Sequence, residues 1–143
     1  MLAATLSLTL PSSADAHHSH FYDECQRMSI EGRVERVEFK NPHNLFVLGL
    51  DDGTAYDIDW VNVTRLTSAG IIGAAKDAVV PGARVAVTGY RIKDAAELRK
   101  TVRKLRGDVN PNTVEARALR RVDGSFTWPI PASASAIAPT CDR

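Results

Sequence analysis

Alternating apolar and polar residues in the first half of the chain predict antiparallel strands. Residues 28–39 (MSIEGRVERVEF) predict a long first strand, in which Gly32 and a slip of the alternation indicate a bulge or bend. The next residues, 41–44 (NPHN), predict a turn, because Pro42 cannot donate a hydrogen bond to a strand ladder and asparagine favours turns. Residues 45–50 then predict the second strand.

The alternation is cleanest in residues 54–60 (TAYDIDW), which follow a hairpin turn at 51–53 and predict the third strand. We expect the apolar face to fill the core, and its residues are Tyr56, Ile58 and Trp60. Trp60 ends the strand, so the alternative is that it lines a ligand site at a barrel mouth. On the opposite face, Asp57 and Asp59 predict a solvated surface, with a carboxylate pair as the alternative.

The second half predicts a short helix at residues 61–69, with Asn62 as its cap and Gly70 at its end. Residues 83–92 (ARVAVTGYRI) predict the fourth strand, with a kink at Gly89. This part of the chain therefore returns to the strand pattern after one helix.

A longer helix is predicted at residues 94–106, where apolar residues recur with helical spacing. Residues 113–122 then predict the fifth strand, and 125–128 (SFTW) a short final one. One face of the longer helix is basic and consists of Arg99, Lys100, Arg103, Lys104 and Arg106. We expect this face to be solvated, or to face anionic lipid or a partner.

Three meander strands, a helix and two further strands are the order of the OB-fold. We therefore predict a mainly β protein, a small five-stranded OB-like Greek-key barrel with one short and one longer helix. An immunoglobulin-like sandwich is the alternative, although it would require about seven strands.

The N-terminal residues 1–16 predict a secretory signal peptide. An apolar run of about ten residues, too short to span a bilayer, precedes the small residues Ala14 and Ala16. The alternative is a buried N-terminal helix. Cleavage after Ala16 would leave a barrel domain at residues 17–128 and a Pro/Ala-rich tail at residues 129–143. The signal peptide also predicts that the protein is located in the periplasm.

The four histidines are the main candidates for chemistry, since three cluster at 17–20 and one lies in the predicted turn. Cleavage would give His17 a free amine, and an amine with imidazoles suits Cu(II), Ni(II) or Zn(II). The candidate copper ligands are His17, His18, His20 and His43. The alternatives are adventitious binding by the terminus and a structural hydrogen bond of His43 within its turn.

The two cysteines, Cys25 and Cys141, predict a disulfide in an oxidising compartment. It would join the tail to the body and contribute about 4 kcal/mol if unstrained. The alternative is that a cysteine acts as a metal ligand or nucleophile, although the chain has no CxxC motif and no Cys–His spacing typical of such a role.

Charge argues against a nucleic-acid partner, because 18 basic and 17 acidic residues give a formal net charge of +1. The chain contains no GxSxG or HExxH motif, so no enzyme class is indicated. An enzyme would need a buried polar constellation that the sequence does not reveal.

Several short motifs together resemble an uncharacterised family of small exported bacterial proteins, the domain of unknown function DUF6152. These motifs are AHHS (16–19), FYD (21–23), GRV (32–34), NPH (41–43), Trp60 and PGxxVxVxG (81–89). The resemblance implies secretion to the periplasm and a compact β-barrel-like domain, with no established activity. It places the two histidine groups in a recurring pattern.

We therefore expect a periplasmic binding protein without a transmembrane segment, whose ligand is a transition metal such as copper. The alternative is a binding module for a small organic ligand or protein partner. Its site at the barrel mouth would use Asn41, Asn44 and Trp60. An enzyme of unknown reaction is the third possibility.

Overall fold

The computed structural model describes residues 22–93 and 110–128. In chain order, its elements are β1 (Tyr22–Glu38), β2 (Asn44–Gly49), β3 (Ala55–Trp60), α1 (Val63–Ser68), α2 (Ile72–Ala78), β4 (Arg84–Ile92), β5 (Thr113–Arg121) and β6 (Thr127–Trp128). The predicted longer helix at 94–106 lies outside the described residues.

Five strands close into a ring, which confirms the predicted OB-like barrel. β1 pairs with β2 and β4, β2 with β3, and β4 with β5, all antiparallel. The ring closes through a short parallel pairing of β3 with β5, and β6 extends the sheet beside β5. Both described helices lie between β3 and β4 in the chain.

The barrel core is built around Trp60, which is 1% exposed. Four aromatic rings meet it edge to face, with centroids 5.8–6.4 Å away; they belong to Phe39, Phe46, Phe126 and Trp128. Edge-to-face contacts at this distance stabilise aromatic cores beyond the burial of area. The expectation that Trp60 and Ile58 fill the core is therefore confirmed, whereas Tyr56 is only partly buried and packs against the core.

β1 begins six residues earlier than the predicted strand. Its first part contains charged, largely exposed residues, so no apolar alternation identified it as a strand. This part pairs with β4, although the register shifts between Tyr22 and Arg27. The predicted slip further along is confirmed by a register shift between Val34 and Arg36.

Helix α1 begins after Asn62, whose side chain accepts a hydrogen bond from the backbone N–H of Arg65, so the predicted cap is confirmed. The sequence analysis missed α2. Its seven residues include Gly73 and span only about two turns, too few for a helical period to emerge. Its Ala75 and Ala78 are buried and belong to the hydrophobic core.

Two strand glycines permit close approach of neighbouring backbones. A Cβ atom on Gly32 would lie 2.5 Å from the carbonyl oxygen of Gly49. A Cβ on Gly89 would collide with the carbonyl oxygen of Glu115 on β5. The kink predicted at Gly89 stays a prediction; the pairing of β4 with β5 shifts register between Thr88 and Gly89, and the extra residue there is Arg117 on β5.

Candidate functional site

His43 lies against a buried carboxylate at the point where β2 begins and β3 ends. Its Nδ1 atom is 2.8 Å from Oδ1 of Asp59. The side chain of His43 is 17% exposed and that of Asp59 is 4% exposed. The pair is therefore largely withdrawn from water. Electrostatic contacts are stronger in such a buried place than on an open surface.

Tyr22 supports the other oxygen of the same carboxylate. Its hydroxyl donates a hydrogen bond of 2.8 Å to Oδ2 of Asp59, and the residue is only 5% exposed. Tyr22 is the first residue of β1, whereas His43 precedes β2 and Asp59 belongs to β3. Three segments that are distant in sequence thus meet at one carboxylate.

The prediction that Asp57 and Asp59 lie on a solvated face of β3 is wrong for Asp59. It alternates with Ile58 and Trp60, which face the core, yet it is itself 3% exposed. Tyr22 and the turn before β2 cover this end of the outer face, whereas Asp57, two residues earlier, is only half-buried. Alternation predicts which side of a strand a residue faces, but not what another segment lays over that side.

Glu115 brings a second carboxylate to this end of the barrel. It lies opposite Asp59 in the parallel pairing of β3 and β5, and its Oε2 is 2.9 Å from a guanidinium nitrogen of Arg117. Burial raises the pKa of Glu115, and the charge of Asp59 adds to this increase, whereas Arg117 opposes it. The Arg117 guanidinium also lies 5.5 Å from the centroid of the Tyr90 ring.

The turn that carries His43 is held from both sides. Asn44 is fully buried; its amide donates to the carbonyl of Val61 and its side-chain oxygen accepts from the backbone N–H of Lys40. Asn41, which precedes a cis peptide bond to Pro42, accepts weaker hydrogen bonds from Thr64 in α1. These contacts fix the position of His43 relative to β3.

The structure places the three proposed ligand-binding residues differently. Asn41 is exposed beside His43, Asn44 is buried as a brace of the turn, and Trp60 belongs to the core. Asn44 and Trp60 lie opposite each other in the pairing of β2 with β3. Of the three, Asn41 is therefore the one that a ligand at this rim would meet.

The other predicted site residues lie outside the described part of the chain. They are His17, His18, His20 and Cys141. The predicted signal peptide, the predicted basic helix and the C-terminal tail also lie outside the described residues. Cys25 belongs to the first part of β1. The disulfide with Cys141 stays a prediction.

Sequence reasoning did not select Tyr22 or Glu115 as site residues, and it weighed Asp59 only as part of an alternative carboxylate pair with Asp57. Each belongs to a strand whose pairing partners were unknown, so no local signal indicated that they would meet. For Tyr22 the sequence offers one indirect signal, the FYD motif, which places it two residues after His20.

His43 is the residue of this site best suited to bind a metal. Because Nδ1 faces Asp59, a metal would bind Nε2, and ligating histidines commonly direct their other nitrogen to a carboxylate. Within residues 22–93 and 110–128, no group of three or more His, Cys, Asp or Glu side chains is arranged to hold a metal ion. Further ligands would have to come from elsewhere in the chain.

In the same described ranges, no helix is long and apolar enough to cross a membrane.

The fold and site define a small OB-like barrel protein with a buried histidine–carboxylate group at one end. A family model described as a family of unknown function, DUF6152, matches residues 5–101, so the chain belongs to that family. The comparison with curated proteins found no match.

Among solved structures, the chain is similar to one in the crystal structure of the S. pombe Stn1-ten1 complex. The identity is 11% and the TM-score 0.45, and the match covers 68% of this chain and 58% of that one. The chain thus spans less than two thirds of that protein's length.

Proposed function

We propose that this chain is an exported, periplasmic protein that binds Cu(II) or a similar transition metal. In the proposed mature form, cleavage after Ala16 gives His17 a free amine. The amine and imidazole of His17 bind the metal together with Nε2 of His43, and His18 or His20 assists. Neutral nitrogen donors of this kind suit Cu(II).

The observation that carries the proposal is the contact of Tyr22 with the Asp59–His43 pair. Tyr22 follows His20 by two residues, so their Cα atoms are separated by at most about 7 Å. By the same limit, His17 is at most about 18 Å from Tyr22 along the chain. Since β1 begins at this pair, the chain can bring its terminal nitrogen donors to His43 without a long connecting segment.

The surroundings of His43 also suit a metal ligand. The carboxylate beside Nδ1 orients the imidazole, as in carboxylate–histidine–metal groups. Asp59 also contributes negative charge near the place where a cation would bind. This charge favours a divalent cation over an anion at the same site.

The central test compares Cu(II) affinity in variants of the mature protein, using competition with a chelator of known affinity. We expect His43→Ala to weaken binding at least tenfold, equivalent to about 1.4 kcal/mol. Asp57→Asn is the matched control, because it lies on the same strand face without contacting His43, and its affinity should match that of the unmodified chain. Unchanged affinity in His43→Ala would leave only adventitious chelation by the terminus and would favour the binding-module alternative.

The proposed N-terminus has its own test. Intact mass spectrometry of the exported protein should give a mass that begins at His17, with one copper retained after gentle desalting. Retention of upstream residues, or a His17 terminus without retained metal, would remove the main support for the amine-containing site. Peptide mapping without reduction should also reveal the proposed Cys25–Cys141 crosslink.

The buried Tyr22–Asp59–His43 group is also the kind of constellation that the enzymatic alternative requires. A histidine held by a carboxylate can accept and release a proton at its other nitrogen. The residues described around it indicate no substrate class, however. Metal binding is therefore the function that these residues support best.

A further inference from the structure

The outer side of β1, β4 and β5 carries five arginines, and we call it the arginine face. They are Arg27, Arg33, Arg84, Arg117 and Arg120. We infer that this face binds an acidic polysaccharide, whose carboxylates pair with the guanidinium groups. The inference does not rest on the proposed copper site, because none of the five arginines is a candidate ligand there.

Strand pairing places arginines at both ends of this face. At one end Arg27 lies opposite Tyr90, and the guanidinium of Arg117 is 5.5 Å from the centroid of the Tyr90 ring. At the other end Arg33 lies opposite Arg84. The two ends are six residues apart on each strand, or about 20 Å at the rise of a strand. A ligand that meets both ends must therefore be elongated.

Small side chains form the middle of the arginine face. Ser29 and Thr88 lie opposite each other on β1 and β4, and their hydroxyl oxygens are 2.9 Å apart. Ala118 continues this row on β5, and Ala86 lies beside it, opposite Arg120. Because these side chains are short, a ligand can lie close to the strands and still reach the longer arginines around them.

Much of the positive charge of this face is available to a partner. Arg27 and Arg120 are exposed and form no ion pair with a carboxylate in residues 22–93 and 110–128, and Arg33 contacts a backbone carbonyl at 3.0 Å. Arg84 and Arg117 are partly neutralised by carboxylates 3.1 and 2.9 Å away. Guanidinium groups can bind a carboxylate through two parallel hydrogen bonds, so the unpaired ones suit an acidic ligand.

The chemistry of the middle row favours a polysaccharide over a protein partner. Protein interfaces depend on buried aromatic and apolar anchors, whereas this row consists of alanine, serine and threonine. Single-stranded nucleic acids stack successive bases on aromatic rings, and Tyr90 supplies one ring, which Arg117 already contacts. An acidic sugar chain carries carboxylates for the arginines and hydroxyls for Ser29 and Thr88.

The test is isothermal titration calorimetry of the metal-free protein with polygalacturonate, a linear polysaccharide with a carboxylate on each sugar. We expect the double variant Arg27→Gln/Arg120→Gln to weaken binding about tenfold or more, equivalent to about 1.4 kcal/mol. Arg36→Gln/Arg65→Gln is the matched control, because it removes the same charge from exposed positions outside the face. Its affinity should match that of the unmodified chain.

A second variant leaves every arginine in place. Ala118→Glu adds a carboxylate to the middle row and should weaken binding of polygalacturonate by repulsion. Ala118→Gln adds a side chain of similar size without the charge and should weaken binding less. Binding of the unmodified chain should also weaken with added sodium chloride, since exposed charges are screened by salt.

Three results would overturn the inference. One is the absence of binding at low salt, and another is an equal loss of affinity in the two double variants, which would mean that only net charge matters. The third is tighter binding of polyglutamate than of polygalacturonate, which would assign the face to acidic polypeptides. Failure of the proposed function is distinct, because it would appear as unchanged Cu(II) affinity in His43→Ala and would leave these titrations as they are.

Discussion

Asp59 and Trp60 are neighbours on β3 and are almost equally buried, at 3% and 1% exposed, but for opposite reasons. Trp60 faces inward and is surrounded by aromatic rings. Asp59 faces outward and is covered by Tyr22 and His43, each at 2.8 Å. The inner region is buried by apolar packing, whereas the outer one brings polar side chains to a buried carboxylate.

A buried carboxylate indicates that the fold has brought polar side chains to it. Moving a carboxylate out of water is unfavourable unless hydrogen bonds and opposite charges compensate it. An apolar core tolerates the replacement of one side chain by another of similar volume. A buried polar group is less tolerant, because it needs each of its hydrogen-bonding partners. The outer region should therefore respond sharply to the loss of single atoms.

The largest expected effect is that of Trp60→Ala. Removal of the indole leaves a large cavity between four aromatic rings, and we expect the free energy of unfolding to fall by about 3–5 kcal/mol. Urea unfolding followed by far-UV circular dichroism measures this loss. A loss below about 1.5 kcal/mol would mean that the inner region is no more demanding than the outer one.

Asp59→Ala should lower the free energy of unfolding by about 2 kcal/mol, because the Tyr22 hydroxyl and His43 Nδ1 lose their buried partner. Asp57→Ala is the matched comparison on the same face and should stay within about 0.5 kcal/mol of the unmodified chain. The same urea experiment gives both values. Equal losses at the two positions would contradict the distinction between them.

Asn44→Ala should lower the free energy of unfolding by about 1–2 kcal/mol, because it leaves the Lys40 N–H and the Val61 carbonyl without the side chain that joins them. Asn41→Ala, in the same turn, should have a smaller effect, since its bonds to Thr64 are exposed and long. The reverse order would show that the contact with α1, not the buried amide, holds the turn.

The smallest expected effect is pH-dependent and belongs to Glu115. Burial raises the pKa of Glu115, so folding favours its protonated form. Its contribution to stability is full below the ordinary pKa of glutamate and is lost as the pH rises through the higher pKa of the folded state.

Glu115→Gln should therefore be slightly more stable than the unmodified chain near pH 8, and the difference should close towards pH 4. Thermal unfolding at several pH values measures this trend. Glu35→Gln, an exposed position on β1, serves as the control and should show no such trend. A stability difference that widens at low pH would contradict the assigned direction of the Glu115 shift.

The sequence predicted most of the barrel because local signals specified it. Alternation identified β3, strand-like segments between turns identified β2, β4 and β5, Asn62 identified the start of α1, and the slip after Val34 identified the bulge. The start of β1 and helix α2 were missed, since one is polar and the other is short. Of the candidate site, the sequence predicted the turn with Asn41, His43 and Asn44, but not Tyr22 or Glu115.

The sequence by itself determined which residues face the core, where turns interrupt the strands, and that three histidines cluster at 17–20 while the fourth lies in a turn. These properties follow from side-chain period, backbone preference and composition, all of which are local. Only the tertiary structure decided that Tyr22 and His43 meet at Asp59, opposite Glu115. The meeting depends on pairing of strands distant in sequence, and on a covering segment that turns an outward carboxylate into a buried one.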